Sequence, residues 1–535
     1  MTWTQAIIVA LLYYFSDAPF FFGEGYYCLQ RPVVAGFLVG LVMGNPVAGA
    51  IIGATINLIF LGHMSVGGSI PSDMALAGYV GTAFALALNT STEVALAMAV
   101  PISLLGTVVW VGRMSISSIF VHWADGYAEK GDAAKVRLMN WLPAQTMLFV
   151  FKLIVVTIFC RFGSELVGNF LNSIVNSWAF KGLGVIGGML PALGIALNLR
   201  AILKKDTWAY LLIGFVLVAY FKMSVIGVSI VGLAMALIYM TIENKLKKVD
   251  QDVKNTVESA PQVEHTSSIL NKRDVQKCYW NWQFFSHANY NYERMQGTSF
   301  ASSMSYGLEK LYPEKPALAE GLKRHLVFFN TDPNLGAVIH GATLAMEEQK
   351  AGGADISGDA INAFKTGLMG PMAGIGDSIV QGVIIPMIVA LGISIAIKGN
   401  VLGSLIVLAG IPIALIAIAY NSWMYGYKRG GSAVTSMMAD GKIKAWIGAA
   451  GVLGCTVMGA LISNYVNFKT ALEWKIGEVP FNLQTGLFDS ILPNLLPLAL
   501  TLILYWLTTK NVKVWKLLLG VAVVGFVGGA LGIFG

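Results

Sequence analysis

Long stretches without a single charge constrain this chain more than any other feature. Asp, Glu, Lys and Arg are absent from residues 33 to 62, 399 to 427, 445 to 468 and 517 to 535. Each stretch is about as long as the ~20 residues that an α-helix needs to cross the hydrocarbon of a bilayer. Only 12% of all residues are charged, against about 25% in an average soluble domain. The sequence therefore predicts an all-α integral membrane protein.

Charged residues concentrate in the middle of the chain and divide it. We predict a first polytopic helical membrane domain at residues 1–242 and a flexible cytoplasmic linker at 243–270, which has few apolar residues and no aromatic ones before Ile269. A second domain follows at 271–535. It begins with amphipathic interfacial helices at 271–365 and continues with membrane helices at 366–535. A small separate cytoplasmic domain at 271–365 is the alternative.

Lysines next to apolar segments predict how the chain is oriented. A cluster follows directly on an apolar segment and places the linker in the cytoplasm by the positive-inside bias; it contains Lys245, Lys247, Lys248 and Lys254. A second cluster places the last loop inside and the C-terminus outside; it contains Lys510, Lys513 and Lys516. These assignments fit a multi-pass membrane protein.

Local signals predict helix limits in the polar region. Pro316 is suited to the first turn of a helix, and Ser357 to the N-cap of another, because proline lacks the amide that such a position leaves unbonded and serine accepts one. Between Pro316 and Ser357, the pair Gly352 and Gly353 predicts where a helix ends.

Three apolar runs are rich in Gly and interrupted by Pro: residues 43–73, 182–198 and 367–382. Every backbone amide in a bilayer needs a partner, so irregular backbone is tolerated only where it is buried or lines a wet cavity. Transporters build substrate sites from such broken or re-entrant helices. For any single glycine, close helix packing through small residues is the alternative. Three such runs in one chain favour a transporter.

Ionisable residues inside such runs are candidates for a binding site, because they are costly in a membrane unless paired or solvated. Asp377 stands in an otherwise uncharged run, and Asp73 closes the first Gly-rich run. Either carboxylate can accept paired hydrogen bonds from sugar hydroxyls or, equally, cap a re-entrant helix. Asn57 can both donate to and accept from a hydroxyl, whereas a lone His63 is more typical of a packed side chain.

Several classes of function lack their sequence signals. The sequence contains no phosphate-binding Gly-rich loop, metalloprotease motif or hydrolase nucleophile elbow, so we predict no catalytic residue, cofactor or metal ligand. The charge of +7 is not gathered into a basic block, which gives no support to nucleic-acid binding. The four cysteines have no CxxC spacing and are expected to be packed thiols.

Extended motifs resemble a known family. Residues 278 to 400 resemble the IID subunit of mannose-family phosphotransferase permeases, in NYNYERMQG, EKLYPE, LKRHLVFFNTDP, GATLAMEEQKAGGADI and INAFKTGLMGPMAGIGDS. Residues 1 to 242 resemble the partner IIC subunit, in RPVVAGFLVGLVMGN, GATINLIFLGHMSVGGSIPSDMALA and HWADGYAEKGDAAKV. The resemblance covers nearly the whole chain and implies that two normally separate subunits are fused here.

The resemblance implies a sugar channel that does no covalent chemistry alone. A hexose or hexose derivative is translocated and then phosphorylated by a separate soluble IIB subunit, which is charged by IIA. The family also implies a trimer of IIC and IID pairs, and hence a homotrimer of this chain. The family's polar motifs carry substrate-binding roles to Glu24, Asp73, Asn291, Glu293, Arg294, Gln296, Gly376 and Asp377, and to Asn57 by position.

Departures from the family pattern bear on which sugar is preferred. Asn57 stands where the IIC pattern commonly has Glu, Ser72 precedes Asp73 where a Pro-Asp pair is usual, and Ser378 follows Asp377 where the IID motif has Pro.

The residues by themselves leave two other functions open. An ion-coupled secondary sugar transporter would use the same broken helices and carboxylates, and a receptor or scaffold would use residues 278 to 365 as a docking platform.

Overall fold

A computed structural model describes residues 1–63, 72–174, 178–252, 269–430, 442–476, 479–510, 512 and 514–534. Nearly all of these residues are helical, as the apolar composition predicts. The described residues also contain one antiparallel hairpin, β1 (Glu473–Ile476) and β2 (Val479–Asn482), which the sequence did not predict. Cys28, Cys160, Cys278 and Cys455 are all buried free thiols, which confirms the expectation of packed cysteines.

The first half of the chain, up to Asp252, forms eleven helices in its described part. They are α1 (Trp3–Phe15), α2 (Gly25–Cys28), α3 (Pro32–Met43), α4 (Pro46–Ile59), α5 (Met74–Leu76), α6 (Thr82–Leu88), α7 (Thr92–Ala128), α8 (Ala133–Ile174), α9 (Trp178–Ile202), α10 (Trp208–Ala219) and α11 (Val225–Asp252). Helix α11 thus continues through residues 243–252, where the sequence predicted a flexible linker. The rest of that predicted linker, up to residue 268, lies outside the described residues.

The second half, from residue 269, forms another eleven helices in its described part. They are α12 (Lys272–Phe285), α13 (Gly297–Leu311), α14 (Lys315–His325), α15 (Ala337–Ala351), α16 (Gly358–Ile379), α17 (Ile385–Ala396), α18 (Leu402–Arg429), α19 (Lys442–Tyr465), α20 (Asp489–Ile491), α21 (Leu495–Thr509) and α22 (Val514–Ala530). The predicted helix limits are confirmed. Pro316 lies in the first turn of α14, Ser357 accepts a hydrogen bond from the Ala360 amide, and Gly352 ends α15.

Five helical segments among the described residues are long and apolar enough to cross a membrane, or six if a pair bent by 66° counts as one span. The five are Val94–Ala128, Ala133–Gly163, Val225–Glu243, Gly358–Ala396 and Leu402–Arg429. Their length and composition agree with a multi-pass membrane protein, because each has at least 19 residues, close to or above the ~20 that a span requires. The segment Gly358–Ala396 runs from the polar region into the membrane.

The first Gly-rich run is interrupted, and the third contains a π-turn through which the helical segment Gly358–Ala396 continues. In the first, α3 ends at Gly44, whose φ of 80° only glycine adopts without strain. The two helices that meet there pack so closely that a Cβ on Gly36 would lie 2.4 Å from the Gly49 carbonyl oxygen. Residues 64–71 of this run lie outside the described part of the chain. In the third run, a π-turn at Val380–Ile384 separates α16 from α17.

The second Gly-rich run, 182–198, does not break. It lies within the continuous helix α9, which contains Pro191. Its glycines serve close packing instead, because a Cβ on Gly194 would lie 2.3 Å from the Leu58 carbonyl oxygen of α4. The prediction of an interruption here was therefore wrong, and the small-residue packing that the sequence left open explains the composition.

Helices α12 to α15 form a helical body with its own apolar core. Its largest buried side chains are aromatic: Tyr279, Trp282, Phe300 and Phe329, with Trp423 contributed by the end of α18. The core extends onto the end of α7 and the start of α8, so the body is attached to both halves. Arg137 of α8 makes two hydrogen bonds to Glu309 of α13, at 3.0 and 3.2 Å.

Candidate functional site

A cavity of about 320 Å³ lies where the two halves of the chain meet. The first half contributes the segment around α2, and the second half contributes the loops of the helical body and one face of α16. The lining residues are Tyr26, Tyr27, His287, Tyr290, Gln296, Asn330, Thr331, Pro333, Gly370, Ala373, Gly374, Asp377 and Gln381. The cavity therefore exists only because the halves are packed together.

One wall of the cavity is aromatic. The rings of Tyr26 and His287 stack with their planes 8° apart and their centroids at 5.0 Å, although they come from different halves. Tyr290 packs against the same imidazole at 5.5 Å. Aromatic rings provide flat apolar surfaces with a few polar tips, which suits ligands that have both apolar faces and hydroxyl groups.

Other residues of the lining are polar. Asp377 lies on α16 and accepts a hydrogen bond of 2.7 Å from the side-chain amide of Gln381, one turn later. Only one carboxylate oxygen of Asp377 has a described partner, which leaves the other available to a ligand. Gln296 accepts a hydrogen bond from the Thr331 amide through its side-chain carbonyl, at 3.0 Å, and so retains its amide donors. These groups can bind hydroxyls as donors and as acceptors.

Two further carboxylates lie just behind the cavity. Glu24, 2% exposed, accepts a hydrogen bond from the side-chain amide of Gln283, and its other oxygen has no described partner. Asp332 accepts hydrogen bonds from the amides of Asn334 and Leu335 and so closes the turn before α15. Gly376 packs against this aspartate: a Cβ there would lie 2.3 Å from the Asp332 Cβ. The contact fixes α16 against the helical body beside Asp377.

The two candidate polar residues of the first Gly-rich run cap helices. Asn57 is fully buried, and its side-chain oxygen accepts a hydrogen bond of 3.2 Å from the Val33 amide at the start of α3. Asp73 is the N-cap of α5, where it accepts from the Leu76 amide and from the Tyr13 hydroxyl. Neither residue lines the cavity. Of the two roles that the sequence left open for Asp73 and Asp377, the structure shows capping for Asp73 alone.

Three further candidates, in the motif NYNYERMQG, join the two halves. Asn291 closes a turn by accepting the amides of Glu293 and Arg294. Arg294 makes two hydrogen bonds to Asp125 of α7, at 2.6 and 2.8 Å. Glu293 lies 3.1 Å from the imidazole of His122, also on α7. These three residues lie outside the cavity wall, whereas Tyr290 and Gln296 of the same motif belong to it.

A buried arginine holds the aromatic wall in place. Arg113 of α7 donates a hydrogen bond of 2.8 Å to the backbone carbonyl of His287. The same guanidinium lies 3.5 Å from the carboxylate of Asp17, which also pairs with Lys152 of α8. Arg113 and Lys152 are both nearly fully buried. The pairing offsets the cost of two buried cations, and it ties the position of His287 to the first half.

Sequence reasoning missed most of the aromatic wall. Tyr26, Tyr27, His287 and Asn330 were not predicted as site residues, because nothing in their local sequence indicates that they face a common cavity. Gln381 had a usable signal, since it follows Asp377 by four residues and therefore shares a helix face with it.

Comparisons with known proteins identify the family of each part of the chain. Residues 269–534 match the model of the mannose/fructose/sorbose family IID component, and residues 3–238 match that of the sorbose-specific IIC component. The mannose-specific EIID component of Escherichia coli K12 is 36% identical over 50% of this chain and 97% of its own length. The chain belongs to this phosphotransferase permease family. It carries an IIC part followed by an IID part.

Other relatives cover each part separately. The fructose permease IID component of Bacillus subtilis is 35% identical over 48% of this chain and 95% of its own length. The mannose-specific EIIC component of E. coli K12 is 29% identical over 41% of this chain and 82% of its own length. A solved structure of the mannose transporter ManYZ with microcin E492 matches at 36% identity, covering 50% of this chain and 100% of that chain, with a TM-score of 0.30.

Membership of the family decides between the functions that the sequence left open. The protein is a sugar permease of a phosphotransferase system, located in the bacterial inner membrane, rather than an ion-coupled transporter. Phosphoryl transfer occurs on separate IIA and IIB subunits, so this chain is a transporter component and works with those partners.

Proposed function

We propose that the cavity between the two halves is the sugar-binding site of this permease, and that it takes a single hexose or hexose derivative. The observation that carries the proposal is the composition of its lining, which combines stacked aromatic rings with a carboxylate and two side-chain amides. Its volume of about 320 Å³ is at the lower end of the ~300–1,000 Å³ typical of ligand pockets. That size suits a monosaccharide.

The proposed roles of the candidate residues differ with their places. Asp377 and Gln296 contact sugar hydroxyls directly, with Gln381 orienting the aspartate. Glu24 acts from behind the wall through Gln283. The others position the site: Asn57 and Asp73 through the helices that they cap, and Asn291, Glu293 and Arg294 through the junction between the halves.

Sugar uptake in intact cells tests the proposed transport. Relatives are named for mannose, fructose and sorbose, so a panel of these labelled hexoses is the starting point. We expect accumulation of a phosphorylated sugar in cells that contain the soluble IIA and IIB subunits and the general phosphotransferase proteins. Deleting the general proteins should abolish it. Continued accumulation of unmodified sugar in the deletion strain would contradict the proposal.

We also propose that the permease is a homotrimer, in which each chain supplies one fused IIC and IID pair. The support is the resemblance to the family. Native mass spectrometry of the protein in mild detergent should give three times the mass of the 57.4 kDa chain. A monomer or dimer that remains active in reconstituted vesicles would refute the trimer.

A further inference from the structure

A second cavity, of about 350 Å³, lies at the other end of the spans from the helical body. It is built where the loop between α10 and α11 meets the ends of α17 and α19 and the start of α21.

The end of α18 is fixed to the helical body, since Tyr427 donates a hydrogen bond to Glu348 of α15. The loop from α17 to α18 is therefore at the opposite end. The lysines that begin at Lys245, just after the span Val225–Glu243 of α11, are assigned to the cytoplasm, so the start of α11 and this cavity lie outside the cell. We call this space the outer cavity.

Among the described residues, the charged groups that line the outer cavity are both lysines. Lys222 of the α10–α11 loop and Lys398 after α17 line it, and no carboxylate is among the described lining residues. Neither lysine has a described ion pair. Asp489, which accepts the Asn494 amide at 3.2 Å, is not among the lining residues. Two ammonium groups at one cavity, without a described acidic partner, favour an anion.

The start of α11 adds to the positive potential. Val225 and Ile226, the first two residues of this 28-residue helix, both line the cavity. The Ser224 hydroxyl accepts a hydrogen bond from the Gly227 amide, but no acceptor is described for the amides of Val225 and Ile226. Free amides at a helix N-terminus attract anions, and phosphate groups in particular.

An apolar rim surrounds this basic space. Phe221 is 71% exposed and Tyr220 53%, on the loop that also carries Lys222. Across from them Ile491 is 63% exposed, and its carbonyl accepts a hydrogen bond of 3.5 Å from the Tyr220 hydroxyl. Exposed aromatic residues at the end of a span are typical of the membrane interface, which puts this basic space at the level of the lipid headgroups.

We infer that the outer cavity binds an anionic phosphate group, held by Lys222, Lys398 and the N-terminus of α11. The group is supplied either by an anionic lipid headgroup or by soluble phosphate. Because the cavity lies between the α10–α11 loop of the first half and the helix ends of the second, the bound group bridges the two halves at the outer surface. This inference does not depend on the proposed sugar site.

Lipid binding to the full chain in nanodiscs tests the inference. We expect phosphatidylglycerol, titrated into phosphatidylcholine nanodiscs and followed by native mass spectrometry, to bind the unmodified protein. Each Lys→Gln change at Lys222 or Lys398 should weaken binding about fivefold, and the double variant about 30-fold, from the charge removed near the membrane surface. Lys469→Gln is the matched control, because Lys469 is also exposed on the outer side but does not line the cavity.

A second experiment distinguishes soluble phosphate from the lipid headgroup as the source of the phosphate group. Inorganic phosphate added to phosphatidylcholine nanodiscs should raise the melting temperature of the unmodified protein, but not of the double variant, if the soluble ion is the ligand. Phosphatidylglycerol binding that is lost in the double variant assigns the lipid instead. Replacing both lysines by Arg should preserve binding, since the charge is kept. Equal phosphatidylglycerol affinity and equal phosphate response in the unmodified protein and the double Gln variant would overturn the inference.

Discussion

Asp377→Asn is expected to weaken sugar binding about 10- to 100-fold while leaving the fold intact. The amide keeps the shape of the carboxylate and can still pair with Gln381, but it loses the charge-assisted hydrogen bonds to sugar hydroxyls. Such bonds contribute about 1.5–3 kcal/mol each, and each ~1.4 kcal/mol is a factor of ten in affinity. Calorimetric titration of the purified protein with the transported hexose measures the change, and labelled uptake should fall in parallel.

Ser378→Ala is the matched control for Asp377. The neighbouring serine hydroxyl donates to the Gly374 carbonyl at 2.7 Å within α16 and lines a different cavity, so affinity should change less than about twofold. If Asp377→Asn bound sugar as tightly as Ser378→Ala does, the aspartate would have only a structural role. Thermal unfolding curves of both variants show whether each is folded.

Glu347→Gln is expected to destabilise the helical body by about 3–5 kcal/mol. The Glu347 side chain is fully buried and accepts hydrogen bonds from Arg324 at 2.8 and 3.1 Å, from Tyr312 at 2.8 Å and from His325 at 2.9 Å. Removing its charge leaves the buried Arg324 guanidinium without its main counterion, and breaking a buried pair from one side typically costs this much. Denaturant or thermal unfolding of the purified protein, followed by tryptophan fluorescence, measures the loss.

Glu320→Gln provides the control for Glu347, because the same Arg324 pairs with Glu320 at 3.3 Å on the surface. The Glu320 side chain is 71% exposed. An exposed pair between residues four apart on a helix contributes only about 0.3–0.5 kcal/mol. Equal destabilisation by the two substitutions would show that burial of the Glu347 cluster is not what stabilises the body.

The same cluster predicts a loss of stability in mild acid. Burial lowers the pKa of His325 to about 4, below its usual 6.5, although the hydrogen bond to Glu347 opposes this shift. The unfolded chain therefore takes up a proton that the folded chain does not, and stability falls as the pH drops from about 6.5 to about 4.

Glu347 extends this loss to lower pH. Burial favours its neutral form, but hydrogen bonds and charges from His325 and Arg324 dominate and lower its pKa from 4.5 to about 2. Its contribution is complete above pH 4.5 and disappears as the pH falls through about 2. His325→Gln should flatten the upper part of the unfolding profile between pH 6.5 and 4.

Local sequence was enough to predict the membrane class, the two halves and several helix limits. Long apolar runs without charge must be buried in lipid or in a very large protein core. This conclusion follows from the composition of the runs alone. Pro316, Ser357 and Gly352 mark helix ends because their effects on backbone hydrogen bonding act within a few residues. The family motifs likewise indicated the IIC and IID parts without any knowledge of how they pack.

Only the tertiary structure decided which polar residues face a cavity. Asp73 and Asp377 look alike in sequence, but Asp73 caps α5 while Asp377 lines a cavity together with Tyr26 of the other half. Arg113 and His287 are 174 positions apart, and no local signal connects them. A helix or a span follows from neighbours in sequence. A binding wall instead follows from contacts between distant segments, which depend on how whole helices pack.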